Sequence, residues 1–196
     1  MKNLIKSGML AAALFLSGNA FAKDVDFSLS FEKVTNTKVA FKITNAQNVA
    51  LYLYNDAQSE IYSEKVTSED HIVKAYDLAE MPAGNYFLVA ESNGKMERYK
   101  ININNKKVVV DDVPVSTVVK PQFTMDGNKV KMYIPNITGA VNISVYDLQY
   151  NRYYQDQMNA DGSVNMVFDL NPETSKNYII SVKMEGNSFD KIFSLK

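Results

Sequence analysis

Along most of the chain, apolar and polar residues alternate with a period of two. Phe27-Ser28-Leu29-Ser30-Phe31, Val39-Ala40-Phe41-Lys42-Ile43 and Val49-Ala50-Leu51-Tyr52-Leu53 show the pattern. Successive side chains of an extended strand point to opposite faces, so this period predicts half-buried strands with one face on a core. Val, Ile, Tyr, Phe and Thr crowd the runs. Turn formers separate them at Asn36, Asn55-Asp56, Ala83-Gly84, Asn93-Gly94, Asp126-Gly127, Asp161-Gly162 and Gly186-Asn187. Short strands with turns this frequent predict an all-β sandwich or barrel.

The first 22 residues break the alternation. Lys2 and Lys6 precede an apolar run from Met9 to Leu16, and Ala20-Phe21-Ala22 follows. This order reads as a secretory signal peptide, residues 1–22, cleaved after Ala22, and it is the one helix-like segment expected. The run is shorter than the ~20 apolar residues that span a bilayer. No later stretch approaches that length, so the mature chain is expected to lack a transmembrane segment. Export places it at the cell surface, outside the cell or against the outer membrane, peripherally.

Shifted by 92 residues, the chain overlays itself. Val49, Leu51, Leu53 and Tyr54 fall on Val141, Ile143, Val145 and Tyr146, and Ile61-Tyr62 on Tyr153-Tyr154. Tyr76-Asp77-Leu78 meets Phe168-Asp169-Leu170, Asn85-Tyr86 meets Asn177-Tyr178, and Gly94 meets Gly186. A repeat of this length matches a whole sandwich of ~100 residues rather than a solenoid unit. The expected fold is therefore two tandem immunoglobulin-like β-sandwich domains, residues 23–103 and 115–196, joined by a linker over 104–114. Val108-Val109-Val110 should bury something, so the linker is expected to continue as a strand or to pack against a domain. The predicted core comprises Leu51, Leu53, Leu78, Tyr86 and Leu88 in the first domain and Ile143, Val145, Leu170, Tyr178 and Ile180 in the second. Tyr86 and Tyr178, each just after a turn, suit a corner in which the ring packs inward and the hydroxyl bonds to backbone. Asp77 and Asp169 suit strand ends where a carboxylate accepts from loop N–H groups.

The string Leu78-x-x-Met81-Pro82-Ala83-Gly84-Asn85-Tyr86-Phe87-Leu88-Val89, with Asn93-Gly94 and Arg98-Tyr99-Lys100-Ile101 after it, resembles the C-terminal sorting domains of the type IX secretion system of Bacteroidetes. Val49-x-Leu51-x-Leu53-Tyr54-Asn55 matches the apolar strand and corner of those domains. The second domain repeats the pattern at Val141-x-Ile143-x-Val145-Tyr146-Asp147, Asn177-Tyr178 and Gly186-Asn187, with Thr174-Ser175-Lys176 in place of the Pro-x-Gly. The resemblance implies export through the type IX translocon, and a protein partner in that translocon, its outer-membrane shuttle, or the gliding and surface-attachment apparatus.

The chemistry of the chain excludes more than it suggests. It has 196 residues, no cysteine, no tryptophan and one histidine, so disulfide scaffolds, thiol catalysis and multi-His or Cys metal sites are excluded. Its 21 basic and 22 acidic groups give a formal charge of −1, which does not favour nucleic acid. His71 stands in a polar turn, and no nucleophile elbow, phosphate loop or zinc motif occurs. Asp111-Asp112 and Asp161 lack the spacing of a calcium loop. No enzyme activity, metal or cofactor is therefore expected. The residues assigned to partner binding are Lys191, Phe193 and Lys196 on the last strand and the tyrosines Tyr146, Tyr150 and Tyr154. By alternation Tyr154 shares an outward parity with Tyr146 and Tyr150, whereas Tyr153 points inward if the intervening turn adds no register shift. The alternative function is a glycan-binding or adhesive sandwich that uses exposed tyrosines, with Tyr52, Tyr54 and Tyr62 as the first-domain counterparts.

Overall fold

The computed structural model describes residues 11–14, 26–68 and 70–196. The chain divides between Lys120 and Pro121 into two compact units, and strand β1 (Ala11–Leu14) belongs with the second. The first unit contains β2 (Ser28–Val34), β3 (Lys38–Thr44), β4 (Val49–Asn55), β5 (Glu60–Val66), β6 (His71–Asp77), β7 (Gly84–Glu91), β8 (Lys95–Asn104), β9 (Lys107–Val110) and β10 (Ser116–Val119). One sheet has the order β2-β3-β6. The other runs β5-β4-β7-β8, and both β9 and β10 pair with the outer side of β8. Every pairing is antiparallel. Period-two alternation drives the packing: Phe41, Ile43, Leu51, Leu88 and Ile101 are fully buried between the sheets, and Phe31, Phe41, Tyr76 and Tyr99 meet edge to face.

The second unit contains β11 (Gln122–Asp126), β12 (Lys129–Asp147), β13 (Arg152–Asp169), β14 (Asn177–Met184) and β15 (Asn187–Ser194). Here β12 and β13 form one long hairpin that serves both layers. Residues 129–134 of β12 pair with β11 and the end of β13, whereas residues 141–147 pair with β14 and the start of β13. The strand turns between layers at a register shift between Ile134 and Ile137, with Asn136 at φ 48°. Gly139 and Gly162 then adopt φ of 109° and 118°, values that an L side chain resists. A Cβ at either would meet no atom within 4 Å, so conformation rather than space requires glycine there.

Bent in this way, β12 does the work of β3 and β4, and β13 that of β5 and β6. Both units are immunoglobulin-like β-sandwiches with the same strand order. From Val49 onward the offset of 92 holds, but Val39, Phe41 and Ile43 fill the core positions of Val130, Met132 and Ile134 with an offset of 91. All ten residues of the predicted core are buried.

Two boundaries need correction. The segment 104–114 is not a linker: Asn105 and Lys106 make a tight turn, both at positive φ, and β9 folds back onto β8 with Val108 buried. The second domain starts at Pro121 rather than at residue 115, because β10 completes the edge of the first. Within the expected signal peptide, the cleavage site Ala20-Phe21-Ala22 lies outside the described residues. Ala11–Leu14 is a strand rather than helix and pairs antiparallel with Met166–Asp169 of β13. Among the described residues no helix is long and apolar enough to cross a membrane.

Candidate partner-binding face

In the second domain the corner between β12 and β13 is organised by Asp147. Its Oδ1 accepts from the N–H groups of Gln149 and Asn151, both at 2.9 Å, and its Oδ2 from the Asn151 side chain (2.8 Å) and the Tyr153 hydroxyl (2.9 Å). Burial disfavours its charge, but these bonds outweigh burial and hold its pKa below the ordinary value. The closure places Tyr150 at φ 62°, with its N–H donating to the Asp147 carbonyl. Asn55 and Gln58 form the same corner in the first domain, where Gln58 also has φ 62°.

The corner carries a register shift between Val145 and Tyr146. Tyr146 consequently faces Arg152, and Tyr154 faces Val145. This corrects the expected orientation of Tyr154: it is half-buried, its ring set edge-on to the buried Phe168 at 5.8 Å. Burial and the neighbouring Asp156 push its pKa up to about 12. Tyr62 meets Tyr76 in the same manner in the first domain. Phe193 is likewise buried, at 5.6 Å from Phe123. Lys191 lies on the inner side of the edge strand with its ammonium over the rings of Phe123 and Phe193, and Lys196 is exposed beyond the end of β15.

Of the six expected residues, Tyr146 and Tyr150 are brought together on the outer face, 6.5 Å apart. Strand pairing extends that pair into a cross-strand row. Arg152 on β13 is opposite Tyr146 on β12, Tyr146 is opposite Ile179 on β14, and Ile179 is opposite Ile192 on β15. Tyr150 is 76% exposed and Ile192 60%, and Leu148, in the same corner as Tyr150, is 45% exposed. Sequence reasoning missed Ile179 and Ile192. The signal was present, since both break the Ser/Lys/Asp pattern of the outward positions Ser181, Lys183, Ser188 and Asp190.

The first domain carries its own outer face. Tyr52 and Tyr54 stack at 6.0 Å, and the Arg98 guanidinium lies 3.8 Å from the centre of the Phe87 ring. A cleft of about 290 Å³ at one end of this domain is walled by Leu78, Met81, Ile103 and Val108, with Lys106 at its rim. His71 is exposed, its Nδ1 2.7 Å from Asp70. Asp111-Asp112 and Asp161 belong to different units. Among the described residues no three His, Asp or Glu side chains group as metal ligands. The phenols of Tyr76 and Tyr99 are raised, first by burial and then by hydrogen bonds to Glu64 and Glu97. Those shifts move them away from neutral pH, where a general acid or base would need to titrate.

No family model matches this chain, and no curated protein does. Among solved structures, a biofilm-associated protein BSP domain aligns with 85% of this chain at 14% identity and a TM-score of 0.27. This chain spans only 29% of the length of that protein. A two-domain fibronectin type III segment of chicken tenascin aligns at 9% identity, over 85% of this chain and 97% of its own, with a TM-score of 0.28. Bovine butyrophilin aligns at 8% identity, over 87% and 99%, with a TM-score of 0.26. The sandwich assignment rests on the strand pairings themselves.

Proposed function

We propose that the protein is a non-catalytic exported protein whose second sandwich binds a protein partner of the type IX secretion, gliding or surface-attachment machinery. The observation that carries this reading is the row Arg152, Tyr146, Ile179 and Ile192, with Tyr150 beside it. A half-buried tyrosine beside an exposed one, continuous with aliphatic side chains and flanked by an arginine, has the composition of a protein-binding hot spot. The resemblance to sorting domains supports the identity of the machinery. A second reading, a glycan-binding or adhesive protein, is favoured by the Tyr52–Tyr54 stack with Arg98 over Phe87 in the first domain, a platform suited to sugar rings.

Affinity capture from the producing cell's outer membrane with the tagged protein separates the two. Tyr146→Ala with Ile192→Ser should reduce capture at least tenfold, a loss of about 1.4 kcal/mol or more, whereas Tyr52→Ser with Tyr54→Ser should leave it intact. The reverse pattern, together with saturable binding to a surface polysaccharide, would replace the first reading with the second.

A further inference from the structure

In the first domain the outer edge of β8 is covered along its length by the chain itself. Lys107–Val110 pair with Ile101–Asn104, and Ser116–Val119 with Lys95–Arg98. Between these strands the N–H groups of Asp111 and Val115 donate to the carbonyls of Lys100 (3.1 Å) and Arg98 (2.7 Å), and Lys120 N–H reaches Gly94 (2.8 Å). At the offset of 92, β15 is the counterpart of β8. It pairs with β14 on one side, and among the described residues no strand lies on the other. Asp190 and Ile192 occupy the positions of Arg98 and Lys100, so their backbone groups face the open side. Phe193 and Leu195 stand where Ile101 and Ile103 receive Val110 and Val108. Lys191 stands in the place of the buried Tyr99 and is exposed, with its ammonium over Phe123 and Phe193.

We infer that the open edge of β15 accepts an extended segment of the partner protein, antiparallel, with the pattern apolar-x-apolar-x-acidic. The apolar residues cover Phe193 and Leu195, and the acid meets Lys191. The strand that covers the corresponding edge is β9, Lys-Val-Val-Val at residues 107–110, and two acids, Asp111 and Asp112, follow it directly. Main-chain bonds supply the affinity of such an addition, and the alternate side chains supply its selectivity. The inward lysine works against pairing with a second copy, because an inward charge with no acidic partner among the described residues blunts a sheet edge until an acid is brought to it. This inference rests on the proposed protein-binding role of the second domain and names the form of the partner's segment.

The test is amide hydrogen exchange on the full chain, with a synthetic Lys-Lys-Val-Val-Val-Asp-Asp peptide as the probe. At millimolar peptide the amides of Asp190 and Ile192 should slow by at least roughly tenfold. A peptide with both aspartates replaced by lysine should need several times the concentration. Asp190→Pro, which removes an N–H that faces the open side, should abolish the protection, whereas Asp190→Ala should keep it. Unchanged exchange at Asp190 and Ile192 in the wild-type chain would overturn the inference whether or not the proline variant folds. Protection that appears with protein concentration alone would overturn it in favour of a second copy. Tyr146→Ala reports separately: it should reduce partner capture without altering the peptide effect, so failure of the face and failure of the edge are distinguishable.

Discussion

Asp147 is buried at the end of β12 and ionised there because four hydrogen bonds offset the loss of water. Its folded pKa lies below the 3.8 of an ordinary aspartate, so its contribution to stability is complete above the unfolded value and disappears as pH falls through the folded one. Asp147→Asn should therefore lower the melting temperature at pH 7, and the gap to wild type should close below about pH 4. A gap that stays constant in melts at about pH 7 and pH 3 would show that charge has no part in the corner. Tyr150 is a different case. A bulky residue at positive φ costs roughly 1 kcal/mol that glycine would not, yet the side chain is three-quarters exposed and stabilises little by packing. Tyr150→Gly should raise stability by up to about 1 kcal/mol while weakening partner capture. A variant that both captures normally and is more stable would remove Tyr150 from the binding face.

The two corner tyrosines show what a strand-level pattern can and cannot convey. Tyr86 donates to the carbonyl of Pro82 at 2.8 Å, as a tyrosine at the start of a strand after Pro-Ala-Gly should. In the second domain the Pro-x-Gly is absent, and Tyr178 reaches further back, to the carbonyl of Asn171 at 2.7 Å. Each hydroxyl bond is made at a buried ring, so Tyr86→Phe and Tyr178→Phe should each cost about 1 kcal/mol in denaturant unfolding. A cost near zero for Tyr178→Phe would mean that the longer loop does not depend on its tyrosine. Strand existence and inward parity were legible because side chains of a sheet alternate strictly: Leu51, Leu88, Ile143 and Ile180 are all buried as the pattern requires. What alternation does not reveal is where it slips. The shift between Val145 and Tyr146 turns Tyr154 inward, and the bend at Asn136 lets one strand serve both layers where the first domain uses two. The bend shows only as a spacing of three between the buried Ile134 and Ile137, and the corner slip falls on adjacent tyrosines, Tyr153 and Tyr154, whose residue type does not say which ring turns inward. The outer-face row was hidden for a related reason, because Ile179 and Ile192 are 13 positions apart and become neighbours only through the β14–β15 register.

For the molecule as a whole, the same physics explains why the division of the chain was misplaced. Asn104-Asn105-Lys106-Lys107 is polar and precedes a proline, which reads as a linker, but Asn105 and Lys106 at φ 48° and 61° reverse the chain in two residues. The valines that follow then find a free sheet edge immediately available, and Val108 is buried against the first core. A first domain cut at Ile103 thus loses both the cover of β8 and the burial of Val108, and it leaves an unpaired edge rich in tyrosine and isoleucine. Fragments 23–120 and 23–103 should therefore differ by at least about 2 kcal/mol, more than burial of one valine alone, with the shorter one also prone to associate. Chemical denaturation, with sedimentation to follow association, measures both effects. Equal stability and equal monomer content would mean that residues 104–120 are dispensable cover. They would then be a poor guide to what the corresponding edge of β15 accepts. A deficit in the shorter fragment that is repaired by adding a peptide of residues 104–120 in trans would show directly that this edge, in this type of sandwich, takes up a separate strand.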